Sequence, residues 1–194
     1  MLKLMYITNS PEVASIADGA GVDRIFIDLE QYGKEKRQKN WDSVKSKHSI
    51  SDIPKVKSAV KNAQIFVRTD PIFDGFSDEL EGVLACEPDV VMLPYFKTVR
   101  EVETFIKAVD GRATTSLLLE TRGAAEQIDD IISVGGIDEI HIGLNDLSHS
   151  YGKKFLFEEL ADGTVDRLVE RFKADGIKNL SLIHISEPTR LQLI

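Results

Sequence analysis

The chain has 194 residues, 42% of them hydrophobic and 29% charged, which is typical of a globular domain with one sizeable core. Its net charge of -8 argues against nucleic acid or an anionic membrane as a partner. A single cysteine, Cys86, excludes a disulfide within the chain and is expected in the core. No apolar run resembles a signal peptide or a membrane helix, so we expect a cytoplasmic protein.

Short apolar runs alternate along the chain with amphipathic or capped segments, which predicts alternating strands and helices. The expected strands are Leu2–Thr8, Arg24–Leu29, Ala63–Arg68, Asp89–Pro94, Thr115–Leu119 and Glu139–Gly143. The expected helices are Pro11–Ala20, Ile53–Lys61, Ser77–Cys86, Thr98–Val109, Ala124–Val134 and Thr164–Ala174. The long polar stretch Glu30–Ser51 predicts a solvated loop or a frayed helix, and a connection of that length is usually functional.

This alternation predicts a parallel sheet, and the strand ends favour a barrel over an open sheet. An open doubly wound sheet would carry a glycine-rich turn after its first strand, where this chain has Asn9-Ser10-Pro11. Polar residues instead follow several strands, and a barrel brings all such ends to one face. A complete barrel has about 250 residues. We therefore expect a (β/α)8 TIM barrel that is truncated after about six strands.

The C-terminal residues do not fit the pattern of the barrel. The stretch LSLIHISEPTR, which begins at Leu180, resembles the translation of a transposon-end adapter used in preparing sequencing libraries. We therefore expect residues 1–179 to form an incomplete TIM-barrel domain and residues 180–194 to be a non-native tail. On this interpretation His184 and Glu187 belong to no site, and this chain is expected to be unstable and inactive.

Two acids follow consecutive predicted strands. Glu120 comes directly after Thr115–Leu119, and Asp146 follows the next strand. Adjacent strands lie about 4.8 Å apart, so the two carboxylates can share one hard cation. Carboxylate, water and substrate oxygens suit Mg²⁺ or Mn²⁺, with Mg²⁺ the better fit. The alternative is that each acid caps the helix that follows it.

Other residues at strand ends suit an anionic substrate. Arg68 ends the third strand, and its guanidinium can grip a carboxylate with two hydrogen bonds. The alternative for Arg68 is a structural ion pair with Asp28 or Glu30. Gly143 lets the backbone approach a ligand closely, and N–H groups around Asn145 can bind an anionic oxygen.

Together these residues resemble the metal-dependent pyruvate aldolase family, which also contains the citrate lyase beta subunits. The matching motifs are IDLE at Ile27–Glu30, VR at Val67–Arg68, LP at Leu93–Pro94, LLLETRG at Leu117–Gly123 and GLNDLS at Gly143–Ser148. The resemblance implies that Glu120 and Asp146 bind the metal and that Arg68 binds a keto acid. It also implies a homo-oligomer for the native protein.

The sequence departs from this family at Gln31, where the aldolases have a histidine that serves as general base. His48, later in the same loop, is the expected substitute, with a plain surface histidine as the alternative. His149, after the GLNDLS motif, is another candidate. His141 alternates with isoleucines in a strand and could face either the barrel interior or the helices.

The expected activity is carbon–carbon cleavage or formation of a 4-hydroxy-2-oxo acid through a metal-stabilised pyruvate enolate. Several alternatives stay open: an acyl-CoA lyase like citrate lyase beta, a phosphoenolpyruvate-type mutase or hydrolase, and a barrel that binds metal and keto acid without catalysis. The expected partner is therefore a small keto acid or an acyl-CoA.

Overall fold

The computed structural model describes residues 3–33, 47–155 and 157–181. It contains one parallel sheet of seven strands, joined by helices. The strands are β1 Met5–Ile7, β2 Arg24–Asp28, β3 Gln64–Arg68, β4 Val90–Leu93, β5 Thr114–Leu119, β6 Glu139–Ile142 and β7 Lys178–Ser181. The helices are α1 Pro11–Gly19, α2 Asp52–Ala59, α3 Phe76–Leu84, α4 Val99–Val109, α5 Arg122–Glu126, α6 Ile128–Ser133, α7 Leu144–Ser150, α8 Glu158–Ala161 and α9 Thr164–Ala174.

The strands lie in the sheet in the order in which they occur in the chain, and every pairing is parallel. This order is that of a (β/α)8 barrel, so the predicted fold class is confirmed. The structure has one strand, β7, beyond the six whose bounds the sequence predicted. β7 pairs along the edge of β6, with an irregularity in register at Ile140 and His141. Most of the predicted loop Glu30–Ser51 and of the predicted tail lies outside the described residues.

Side chains that alternate along each strand form two separate apolar clusters, one on each face of the sheet. The face toward the helices is the larger, with Ile25, Val67 and Leu117 among its members. The opposite face lines the barrel interior and carries Phe26, Phe66, Val90, Met92 and Leu118. Burial on both faces explains why the strands read as continuous apolar runs in the sequence.

One ion pair shows how strongly the sheet curls. Arg24 on β2 donates two hydrogen bonds to Glu139 on β6, at 2.7 and 2.8 Å. Three strands separate β2 from β6 in the sheet, so the two side chains meet across the barrel interior. Phe66 on β3 and His141 on β6 also meet there, with ring centroids 5.6 Å apart. The interior-facing side chains therefore fill the middle of a barrel and do not cover an open sheet.

Local signals explain most of the helix boundaries. Ser10 caps α1 by accepting a hydrogen bond from the Val13 N–H, and Thr98 with Glu101 forms a capping box at α4. The single helix predicted over Ala124–Val134 is two short helices, α5 and α6, and α7 was not predicted as a helix at all. Within the residues that the structure describes, no helix has the length and apolar character needed to cross a bilayer.

Candidate active site

Arg68 lies at the end of β3 with both acids of the β2 end around it. Its Nε and Nη2 donate to the two carboxylate oxygens of Asp28, each at 2.8 Å. Its Nη2 also lies 3.3 Å from a carboxylate oxygen of Glu30. All three side chains are about 4–5% exposed. The ion pair weighed in the sequence analysis is therefore present, and it involves both candidate acids.

The neighbouring carboxylates keep the Arg68 guanidinium charged. Burial acts to lower the pKa of Arg68, but the charges of Asp28, Glu30 and, further away, Glu120 raise it above its usual value. Arg68 is therefore a permanent cation at the carboxyl ends of the strands. Because the carboxyl ends of parallel strands meet on one face of a barrel, Glu120 at the end of β5 lies on the same side as Arg68.

Glu120 follows β5 and is buried, with 4% of its surface exposed. Its Oε1 accepts a hydrogen bond of 2.9 Å from the backbone N–H of Tyr95. Tyr95 lies just after β4 with a φ of 49°, a left-handed conformation that is uncommon for a residue other than glycine. This conformation fixes the orientation of the Glu120 carboxylate.

Gly143 is packed directly against Glu120, because β5 and β6 are neighbours and Leu119 pairs with Ile142. A Cβ atom at Gly143 would come within 3.0 Å of both Oε2 and Cβ of Glu120. The missing side chain thus lets Glu120 pack directly against the start of α7.

Asn145 and Asp146 lie in the first turn of α7, which begins after Gly143 and accordingly close to Glu120. Both residues are half-buried. The position of Asp146 suits a metal ligand and also suits a carboxylate that stabilises a helix N-terminus. The predicted metal pair, Glu120 and Asp146, therefore remains a prediction. Among residues 3–33, 47–155 and 157–181, no group of three or more His, Cys, Asp or Glu side chains is arranged to hold a metal.

His48 is buried beside the end of β2. Its Nδ1 accepts a hydrogen bond of 3.0 Å from the backbone N–H of Asp28. Because Nδ1 is the acceptor, the neutral ring carries its proton on Nε2. His48 can act as a base from Nδ1 only if this hydrogen bond breaks, and its predicted catalytic role remains a prediction.

The other histidines occupy different surroundings. His141 faces the barrel interior, beside Phe66, so the orientation that the sequence left open is settled. Burial lowers the pKa of His141 to about 3, and the positive charge of Arg24 adds to the shift. His149 is exposed on α7. Gln31, at the position of the family's histidine, donates from Nε2 to the backbone oxygen of His48 at 3.4 Å.

Two residues near the site were not singled out from the sequence. One is Tyr95, because a left-handed conformation at a tyrosine has no sequence signature. The other is Asp70, whose Oδ1 accepts hydrogen bonds from the backbone N–H groups of Gln31 and Tyr32. The Asp70-Pro71 dipeptide directly after a strand is a turn signal that could have drawn attention to it.

The model of one protein family matches residues 3–192, nearly the whole chain, and its description is HpcH/HpaI aldolase/citrate lyase. This chain belongs to the HpcH/HpaI aldolase/citrate lyase family. The family consists of lyases, which agrees with the resemblance seen in the motifs. No curated protein sequence matches the chain.

Solved structures support the fold of an HpcH/HpaI protein. A family member from Burkholderia cenocepacia J2315 has a TM-score of 0.74 at 13% identity, with 92% of this chain and 78% of that chain covered. The citrate synthase SbnG has a TM-score of 0.73 at 18% identity, with coverage of 93% and 76%. The citrate lyase beta subunit from M. tuberculosis, solved with oxaloacetate and magnesium, has a TM-score of 0.62 at 19% identity, with coverage of 94% and 78%.

Proposed function

We propose that the protein is a carbon–carbon lyase that cleaves or forms a 4-hydroxy-2-oxo acid through a pyruvate enolate. Membership of a lyase family supports the reaction class. The observation that carries the proposal is the buried Glu120 carboxylate, whose Oε1 accepts from the Tyr95 N–H and which packs against Gly143 at the start of α7. Arg68 lies on the same side of the barrel, which supports an anion-binding residue near the proposed cation site.

The residues fit a divalent cation, Mg²⁺ or alternatively Mn²⁺, held by Glu120 and Asp146. Two carboxylates leave most of the coordination sphere to water and substrate oxygens, as Mg²⁺ prefers. When bound, the cation supplies Lewis-acid stabilisation of the charge that develops on the keto oxygen. The magnesium in the M. tuberculosis citrate lyase beta structure supports this assignment.

Arg68 is proposed to bind the carboxylate of the keto acid and to steady the enolate charge. A guanidinium has five N–H donors, and Nε and Nη2 make the contacts with Asp28 and Glu30. Its Nη1 is proposed to donate to a substrate oxygen. The two hydrogen bonds to Asp28 orient the guanidinium before the substrate binds.

The remaining predicted residues lie around this pocket. The backbone N–H of Asn145 is proposed to donate to an anionic oxygen, since it lies in the first turn of α7 and has no partner within the helix. The N–H of Gly143 donates to the Leu119 backbone oxygen at 3.0 Å, so Gly143 is proposed to contribute close approach of the backbone instead. His48 is proposed to take up the proton at Nδ1, once the hydrogen bond from the Asp28 N–H has opened.

The test is release of pyruvate from a panel of 4-hydroxy-2-oxo acids by the purified protein, with Mg²⁺ and after chelation. Turnover should disappear on chelation and fall at least 100-fold in Glu120→Gln and in Asp146→Asn. The matched control for Asp146 is Asp166→Asn, because both acids occupy the first turn of a helix that follows a glycine N-cap. If Asp166→Asn and Asp146→Asn behave alike, Asp146 only stabilises its helix.

The likeness to the citrate lyase beta subunit makes an acyl-CoA lyase the second candidate. Cleavage of an acyl-CoA thioester substrate without pyruvate release would favour it. Binding of Mg²⁺ and oxaloacetate with no turnover of either substrate class would indicate a binding protein.

A further inference from the structure

One carboxylate oxygen binds two backbone amides of the segment Glu30–Tyr32, which follows β2. Oδ1 of Asp70 accepts hydrogen bonds from two consecutive backbone amides, those of Gln31 at 2.6 Å and Tyr32 at 2.7 Å. Bonds from N–H groups to a charged carboxylate are short and stronger than those between neutral groups. Two consecutive amides that point at one anion form a concave binding geometry.

A second carboxylate holds Asp70 in place. The backbone N–H of Asp70 donates to Oε1 of Glu79 on α3 at 2.9 Å. Burial, together with the charge of Asp70, raises the pKa of Glu79 to about 7, although the backbone hydrogen bond opposes the shift. Glu79 is thus partly protonated near neutral pH, which limits its repulsion of Asp70.

Further contacts tie the same segment to the neighbouring loop. The ring of Tyr32 stacks on Phe73, with centroids 4.9 Å apart. The Leu29 N–H donates to the Arg68 backbone oxygen at 2.9 Å, so the chain continues alongside β3 after β2 ends. Glu30 lies between this bond and the Asp70 contacts, and its carboxylate is consequently held beside the Arg68 guanidinium.

We propose that Asp70 is the positioning residue that fixes the segment Glu30–Tyr32 against the end of β3, and that Glu79 orients Asp70 for this role. Asp70 acts through Glu30 and Gln31 and contacts no substrate itself. That the positioned groups serve a keto acid rests on the function proposed above, while the fastening of the segment does not.

The first readout is independent of activity. In Asp70→Ala, amide hydrogen exchange at Gln31 and Tyr32 should accelerate at least tenfold, since both amides lose their acceptor. Asp70→Asn keeps an acceptor oxygen without the charge and should fall between wild type and Asp70→Ala. The matched control is Asp74→Ala, which removes an exposed acid from the same loop and should leave both amides unchanged. Equal exchange in Asp70→Ala and Asp74→Ala would overturn the proposal.

The second readout separates positioning from general stability. Asp70→Ala should raise KM for the oxo acid about tenfold, Asp70→Asn should restore most of the loss, and Asp74→Ala should match wild type. Unchanged kinetics in Asp70→Ala despite faster exchange would overturn the link to Arg68. If the wild-type protein turns over no oxo acid while exchange still depends on Asp70, the proposed function fails and the fastening role stands.

Discussion

At the scale of single residues, the packing of Gly143 against Glu120 is the feature that mutation tests most directly. Its φ of -89° is open to any residue, so the glycine is needed for room and not for backbone freedom. In Gly143→Ala the new Cβ would lie 3.0 Å from Oε2 and Cβ of Glu120, which must move. We expect at least tenfold weaker Mg²⁺ binding, measured by calorimetry, and a loss of stability of about 1–3 kcal/mol.

Gly19→Ala is the matched control for this substitution, because a Cβ at Gly19 would have no atom within 4 Å. It should leave Mg²⁺ binding unchanged. Full Mg²⁺ affinity in Gly143→Ala would show that Glu120 does not need the orientation seen here.

Candidate site residues could be predicted where an apolar run in the sequence ends in a polar residue. Arg68 and Glu120 were found in this way, because the end of a buried strand is where a polar side chain can leave the core. The orientation of Glu120 was not predictable, since it depends on the backbone conformation of Tyr95, 25 residues away in the sequence. Likewise, the sequence offered Asp28 or Glu30 as partners of Arg68, and the structure uses both.

At the scale of elements, β6 carries a buried ionisable group into the barrel interior. Among the described residues, Nε2 of His141 has no hydrogen-bond partner. Its pKa of about 3 lies below the unfolded value of about 6.5, so the unfolded chain binds the proton first as pH falls. His141 therefore costs stability as pH drops from about 6.5 toward 3, and by about 2 kcal/mol between pH 7 and pH 5.

His141→Phe should remove this contribution, since phenylalanine keeps the ring against Phe66 and does not titrate. Urea unfolding at pH 7 and pH 5 measures the change: the variant should be about 2 kcal/mol less sensitive to acid. His149→Gln, at an exposed position, should retain the wild-type sensitivity. An acid sensitivity in His141→Phe equal to that of wild type would contradict the assignment.

Strands and long helices were predictable because burial imposes a period on the sequence, as in the stripe of α4. Short helices were not. α7 has only seven residues, and its sequence was interpreted as a site motif instead of a helical turn. β7 pairs with β6 through the backbone, and its sequence, KNLS, lacks the apolar run that marks the other strands.

At the scale of the whole molecule, the pair Arg24–Glu139 bridges the barrel interior between strands that are not neighbours. Both side chains are 3–5% exposed, so removing one leaves the other charge buried without its partner. Glu139→Leu should therefore cost about 3–5 kcal/mol in the free energy of unfolding, measured by urea titration. The double variant Arg24→Met with Glu139→Leu should recover part of that loss.

The control is Glu81→Ala, which breaks an ion pair with Arg112 of the same 2.8 Å length on the surface. That change should cost about 1 kcal/mol or less. Equal costs for Glu139→Leu and Glu81→Ala would mean that the interior pair does not stabilise the barrel.

The strand order was predictable because alternating strands and helices admit few parallel arrangements. The contact between Arg24 and Glu139 was not, because the two residues lie 115 positions apart and meet only after the sheet has curled. Neither residue carries a mark in the sequence that distinguishes it from a surface charge.

The hydrogen bonds at the two ends of the β2–α2 connection bear on how this protein can diversify. Asp70 holds one end of the connection at Gln31 and Tyr32, and the Asp28 N–H holds the other at His48. Both ends of the connection are held by contacts that do not involve residues 34–46. Insertions and deletions between these two anchors can therefore accumulate during evolution and alter specificity. Asp28, Arg68 and His48 would keep their positions.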